Sequence, residues 1–396
     1  MNLRSFVVVC AAAVAVIACG PQESSPGGAG TWGVTRLVED LRIGQSEGPN
    51  EYLFGWINSI VQHPDGTVFI SDGQVPAIRR YDAGGTYLHN VGREGQGPGE
   101  YQIPWGMQLL PDGNLAVWDP SHRRVTVFDP DGTWVKDFKT DGTQSRFWVD
   151  REGNSYLLRY KQDDEARTWY APQSLLKYSP DGEPREAIEV PSEEPEAAEV
   201  VESTREGRLL NFSKQPVFTL TKSGHLVVGS TDDYSFEIRE GERVLFDVRH
   251  GWKPVVVHPE EQAQWNDLQE RYARRMREWP SQGITLPVFD PVPSTKPAFM
   301  DLWSGEDGTI WVRRYAEARE RNDLPPPDPD NDGSPLTWWQ YPTFDVFGSE
   351  GVFLGTVELP NDVNILWFHG DYIWTVQGNE TDEDVAVRYR IEKGEL

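Results

Sequence analysis

The sequence predicts an all-β fold, a six-bladed β-propeller with four-stranded blades, on three observations. A hairpin-bearing unit recurs along most of the chain, the last unit is one strand short, and one spare strand precedes the first. Each defect repairs the other if the N-terminal strand completes the last sheet, which closes the ring and removes its open ends.

The elements follow in chain order. Residues 1–18 read as a signal peptide: Met1-Asn-Leu-Arg4 supplies a positive start and Phe6 to Ala18 a short apolar run. The stretch Val16-Ile17-Ala18-Cys19-Gly20 resembles a bacterial lipobox, which implies cleavage before Cys19 and lipidation of its thiol. The expected place is therefore the bacterial cell envelope, lipid-anchored, periplasmic or outer-membrane facing, with the membrane as a partner through Cys19. Cys10 leaves with the signal, so Cys19 is the only remaining thiol and neither an internal disulfide nor a thiol-ligated metal is expected. Residues 19–31 lack apolar side chains to bury and are expected to be a flexible tether, with the folded domain spanning 32–396.

The first unit runs I-V-Q-H-P-D-G-T-V-F-I-S-D, a loop, then A-I-R-R-Y-D-A-G-G. The second repeats that grammar from Leu109 to Gly132, and in both the two turn aspartates, Asp65 and Asp82 or Asp112 and Asp129, stand 17 residues apart. An Asp-Gly pair between alternating runs marks a tight hairpin turn, because glycine accepts positive φ. Weaker copies turn at Gly153 and Gly182, at Gly224 and Gly241, at Gly308 and Gly351, and finally at Gly370. The sixth unit ends after its third strand, Val385 to Ile391, while Val34 to Ile43 is the spare.

The second unit, with Gly92-Arg-Glu-Gly-Gln-Gly-Pro-Gly-Glu-Tyr101, Pro111-Asp112-Gly113, Asp119 and Arg124-Val-Thr-Val-Phe128-Asp129, resembles the NHL-repeat family. The first unit keeps Asp72 but has Ala77 where the arginine would stand. That resemblance implies the propeller fold. It selects no activity, since NHL-like propellers serve as protein- or RNA-binding platforms, sensor domains and occasionally lyases.

Long connections fall at residues 159–173, 191–216, 250–297 and 313–342, all between second and third strands or between blades. In a propeller these positions share one face, and insertions gathered on one face mark the binding side of a repeat protein. The longest insertion carries Trp265, Leu268, Tyr272 and Met276 at helical spacing after Pro259, which predicts one helix over about 258–279 with an apolar stripe to bury.

On that face the ligand-binding candidates are Arg93, Trp105, Arg123, Arg159, Trp169, Arg313, Arg314, Trp338 and Trp339, since indoles stack and guanidiniums hydrogen-bond to sugars, peptides or anions. Asp328, Asp330 and Asp332 before Gly333 have the alternate-carboxylate spacing of a calcium loop. Trp339 stands where the closing glutamate of an EF-hand would be. A net charge of −26 opposes a phosphate backbone, so no nucleic acid partner is expected. The expectation is a binding scaffold for a protein, peptide or glycan ligand. The rival is a hydrolase or lyase, lactonase-like or amidating-lyase-like, with a divalent metal in the central channel. No metalloprotease helix or phosphate loop is present in the sequence.

Overall fold

The computed structural model describes residues 22–24, 31–33, 35–143, 146–160, 173–191, 212, 214, 216–278, 292–322, 336–360, 363–378 and 383–394. Its strands form the expected ring of six four-stranded antiparallel sheets. Blade 1 comprises Ile57–Gln62, Val68–Asp72, Ala77–Tyr81 and Tyr87–Val91. Blade 2 comprises Gly106–Leu109, Leu115–Asp119, Arg124–Phe128 and Trp134–Lys139. Blade 3 is Phe147–Val149, Ser155–Tyr160, Gln173–Tyr178 and Ile188–Glu189. Blade 4 is Pro216–Leu220, Leu226–Ser230, Ser235–Glu240 and Arg243–His250. Blade 5 is Phe299–Ser304, Ile310–Arg314, Thr343–Phe347 and Phe353–Glu358.

Blade 6 takes Val363–His369, Tyr372–Gly378 and Asp384–Lys393 from the end of the chain and Thr35–Ile43 from its beginning. The closing strand runs antiparallel to its partner, Thr35 opposite Lys393 and Ile43 opposite Ala386, with a bulge between Glu39 and Leu41. Asp40 occupies the bulge, and its carboxylate accepts a 2.8 Å hydrogen bond from Arg388 Nε. The bulge thus turns a carboxylate toward a guanidinium that itself lies over the Tyr372 ring.

Alternation places one apolar face of each sheet against the next sheet, so the core is six inter-blade layers. Ile57, Ile60 and Ile70 of blade 1 pack with Trp374 and Val376 of blade 6, and Phe69 and Ile78 pack with Val117 and Phe128 of blade 2. Each such side chain taken from water stabilises by about 1.5–3 kcal/mol. The first strands of neighbouring blades touch, which sets them around the central axis.

The turns obey the sequence grammar: Gly66 and Gly113 sit at φ +92° and +84°, conformations that a side chain disfavours. They lie on one face of the ring. All four long connections leave the other face, and the helix predicted for the longest spans Pro259–Glu278. Its Trp265 is buried with Phe212, Tyr315 and Leu336, and Gln264 Oε1 accepts the backbone N–H of Thr337 at 2.9 Å. The first turns of the helix thus pack over the connections of blades 4 and 5.

The stretch expected to be a tether differs in one respect. Gln22–Ser24 runs parallel to Val248–His250 on the outer edge of blade 4. An outer blade strand exposes unpaired backbone groups that any extended segment can satisfy, and three polar residues give no hydropathy signal for it. Trp32 then donates its N–H to Leu354 O at 2.8 Å on blade 5, so the N-terminal segment touches the rim of three successive blades. Among the described residues no helix is long and apolar enough to cross a membrane.

Candidate functional site: the channel mouth on the loop-rich face

The plain-face end of the channel is occupied. Lys222, in the first turn of blade 4, donates to Gln108 Oε1 of blade 2 at 2.9 Å and pairs with Glu306 Oε2 of blade 5 at 2.8 Å. Blades 2 and 5 oppose one another in a six-membered ring, so this ammonium lies across the axis. The loop-rich end is where a ligand meets the channel.

At that end, Trp56 and Trp105 each directly precede the first strand of a blade, 1 and 2 respectively. Their rings meet edge to face, centroids 6.0 Å apart at 65°, and Trp56 remains 51% exposed. Beside Trp56, between blades 6 and 1, opens a cavity of about 360 Å³ lined by Gly55, Trp56, Ile57, Gln74, Asn364, Leu366, Val376 and Asp384.

One buried carboxylate organises this wall. Asp72, fully buried at the end of the second strand, accepts backbone N–H groups from Trp56 at 3.3 Å and Gln74 at 3.0 Å through Oδ1. Its Oδ2 accepts from Arg79 at 3.1 Å and Gly55 at 3.4 Å. In blade 2 the equivalent Asp119 accepts from Gln102 and Ser121, and Arg124 donates to the carbonyls of Gln96 and Glu100. In blade 1 the guanidinium of Arg79 thus meets the buried aspartate itself, whereas that of Arg124 in blade 2 serves loop carbonyls. Gln74 crosses so close above Gly55 that a Cβ there would stand 1.6 Å from its Oε1. Asp384 Oδ2 accepts Ile57 N–H at 2.7 Å and fixes the opposite wall.

A second group lies toward blades 3 to 5. Arg146, before blade 3, donates to Phe218 O of blade 4 at 3.4 Å and to Asp301 Oδ2 of blade 5 at 3.2 Å, spanning three blades. Arg313 stands opposite Asp301 in the sheet; burial lowers its guanidinium from the ordinary value while Asp301 opposes that shift.

The sequence candidates separate on this frame. Trp105 belongs to the indole pair, and Arg313 to the Arg146–Asp301 group. Arg314 reaches to 3.7 Å from Asp345, which also accepts the Tyr234 hydroxyl at 2.7 Å. Arg93 lies on the outer rim, largely exposed and paired with Glu100 at 2.6 Å, away from the channel. Arg123 is exposed in a turn at φ +48°. Arg159 is part-buried in the second strand of blade 3, opposite Ser174. Trp338 stacks on His258 with centroids 4.0 Å apart, and Trp339 pairs with Arg319 in a two-stranded ribbon, so both anchor long connections. Trp169, Cys19, Asp328, Asp330 and Asp332 lie outside the described residues. Among the described residues no three carboxylate, imidazole or thiol groups converge to hold a metal ion.

Sequence reasoning missed Trp56, Gln74, Asn364, Arg146 and Asp301. A signal for Trp56 existed: it occupies the same place before its blade as Trp105 does, one unit earlier. Gln74 and Arg146 come from short connections and Asn364 and Asp301 from the first strands of blades 6 and 5, whereas length of connection was the guide.

No family model matches the chain. A solved structure of a Bacteroides fragilis protein proposed to be exported superposes with a TM-score of 0.51 at 10% identity, covering 94% of this chain and 99% of that one. A DUF4221-family member from Bacteroides vulgatus gives 0.49 at 10% identity, over 91% and 99%. A gluconolactonase from Xanthomonas campestris gives 0.42 at 12%, over 91% and 92%. The likeness is one of fold.

Proposed function

We propose that this chain is a lipid-anchored binding propeller of the bacterial cell envelope, with the ring as scaffold and the loop-rich channel mouth as its ligand site. The observation that carries it is the exposed Trp56 indole, braced by Trp105, beside a cavity whose wall is fixed by the buried carboxylate of Asp72. An exposed indole on a rigid support binds ligands without a large ordering cost. The occupied plain-face end favours entry from the loop side. The envelope placement rests on the signal sequence and Cys19. The rival enzyme reading needs converging metal ligands or a nucleophile with its base. The described mouth offers indoles, amides, guanidiniums and separate carboxylates, and among the described residues no three metal-ligating groups converge.

The test immobilises residues 19–396, expressed without the signal so that the Cys19 thiol stays unmodified, through that thiol and presents them to arrays of envelope glycans and peptides beside a Trp56→Ala, Trp105→Ala double variant. One ligand class retained by the native chain and lost at least about tenfold by the variant is the expected result. Equal retention by both, or hydrolysis of an array member by the native chain, overturns the reading. Incorporation of labelled palmitate that vanishes in Cys19→Ser tests the anchor.

A further inference from the structure

Resting on the loop-face reading above, we propose that the cavity between blades 6 and 1 is a carbohydrate subsite that takes one neutral sugar ring. The ring would lie against the Trp56 indole, with its hydroxyl edge toward the amides of Gln74 and Asn364.

Size comes first. The 360 Å³ space lies at the small end of ligand cavities, about 300–1,000 Å³, and equals roughly a dozen water volumes. That suits one pyranose ring better than a folded peptide segment. The lining is the second argument. Ile57, Leu366 and Val376 make an apolar floor, while Gln74, Asn364 and Asp384 supply donors and acceptors at its border. A sugar has the matching halves: C–H groups on its faces, and hydroxyls at its edge that both donate and accept. An aromatic face beside amides serves both at once.

Charge narrows the class further. No lysine or arginine lines the cavity and Asp384 does, so a carboxylate or phosphate finds no charge partner there. A cation could be drawn to Trp56 and Asp384. Yet Asp384 already spends one oxygen on Ile57 N–H, and no second carboxylate lines the space to neutralise a desolvated cation. The Gln74 amide is also positioned in advance: Asp72 pins the backbone of Gln74, and Gly55 leaves the room its side chain occupies. Preorganised amides lose little freedom when a ligand arrives.

The mature chain, carrying Cys19→Ser, is titrated with glucose, galactose, mannose, N-acetylglucosamine and their tetrasaccharides. Saturation-transfer NMR and tryptophan fluorescence are the readouts, and tetramethylammonium is the cation probe. At least one sugar is expected to bind with a Kd on the order of millimolar for the single ring. Trp56→Ala and Gln74→Ala, both at exposed positions, each weaken it about tenfold with an unchanged thermal midpoint. Binding unaffected by either variant overturns the subsite, as does a panel with no sugar bound. Tetramethylammonium binding that depends on Trp56, without sugar binding, assigns the cavity to cations and overturns it too. In these cases a Trp56-dependent peptide signal on the array leaves the loop-face reading standing, and its absence removes both.

Discussion

Lys296 holds its ammonium 2.7 Å from the carboxylate of Glu261, with both side chains closed off from water. The same ammonium donates to Ala316 O at 2.9 Å and lies 5.4 Å from the centre of the Phe212 ring. Burial lowers the Lys296 pKa and Glu261 opposes that shift. This pair ties the first turn of the helix to the connection entering blade 5. Removing one partner strands a charge in an apolar setting, which costs about 3–5 kcal/mol, whereas replacing both by apolar groups is close to neutral. Lys296→Met and Glu261→Met are each expected to lower the urea midpoint strongly, and the double variant to recover most of the loss. Additive losses in the double variant would show that the two groups act apart.

How much of this was legible depends on what signal each feature leaves. The closing strand Thr35–Ile43 was predictable because a missing strand and a spare strand are countable. The helix was predictable from Trp265 and Leu268 at helical spacing after Pro259. The cavity was not: Gln74 and Asn364 are ordinary polar residues until the ring brings blade 6 beside blade 1, a contact of nearly three hundred positions in sequence. Trp338 illustrates the opposite error. It carries the chemistry of a ligand platform, yet its face is taken by His258. A residue type gives capacity, and packing decides whether that capacity is free.

The axial position of Lys222 gives a second prediction. Its side chain and that of Glu306 are largely shielded, and the ammonium links Gln108 of blade 2 to Glu306 of blade 5 across the channel. Charged hydrogen bonds of this kind contribute about 1.5–3 kcal/mol. Lys222→Met is expected to lower the thermal midpoint by several degrees while leaving ligand retention at the opposite mouth intact. Loss of retention with an unchanged midpoint would place the lysine in the ligand's path.

Alkaline pH should unfold the ring through its tyrosines. Burial pushes Tyr101 up to about 12, against the lowering effect of Ile78 N–H. Tyr81, Tyr156 and Tyr234 are also raised by burial, Tyr156 with help from Asp150 and Tyr234 from Asp345. Phenols raised above their unfolded value of about 10 keep their protons longer in the folded ring. Their contribution is therefore complete below about pH 10 and is lost as pH rises toward 12 and beyond. Phenolate absorbance should lag behind that of free tyrosine and then rise together with the loss of circular dichroism. Ionisation of all the phenols with the free midpoint near pH 10, the fold intact, would contradict this burial.

Ring closure supplies the last prediction. Leu37 sits opposite Ile391 in the closing pair and packs against Ile391, Val363 and Val357 and against Val385, Val387 and Tyr389. Leu37→Asp puts a carboxylate against apolar neighbours, at a cost of about 2–4 kcal/mol. Every blade here leans on two others, so a loss at blade 6 should propagate around the ring rather than fray one sheet. The urea midpoint is expected to fall equally by tryptophan fluorescence and by far-ultraviolet circular dichroism, in a single transition. Two separated transitions, with blade 6 melting first, would show that the closing strand seals an edge without coupling the ring.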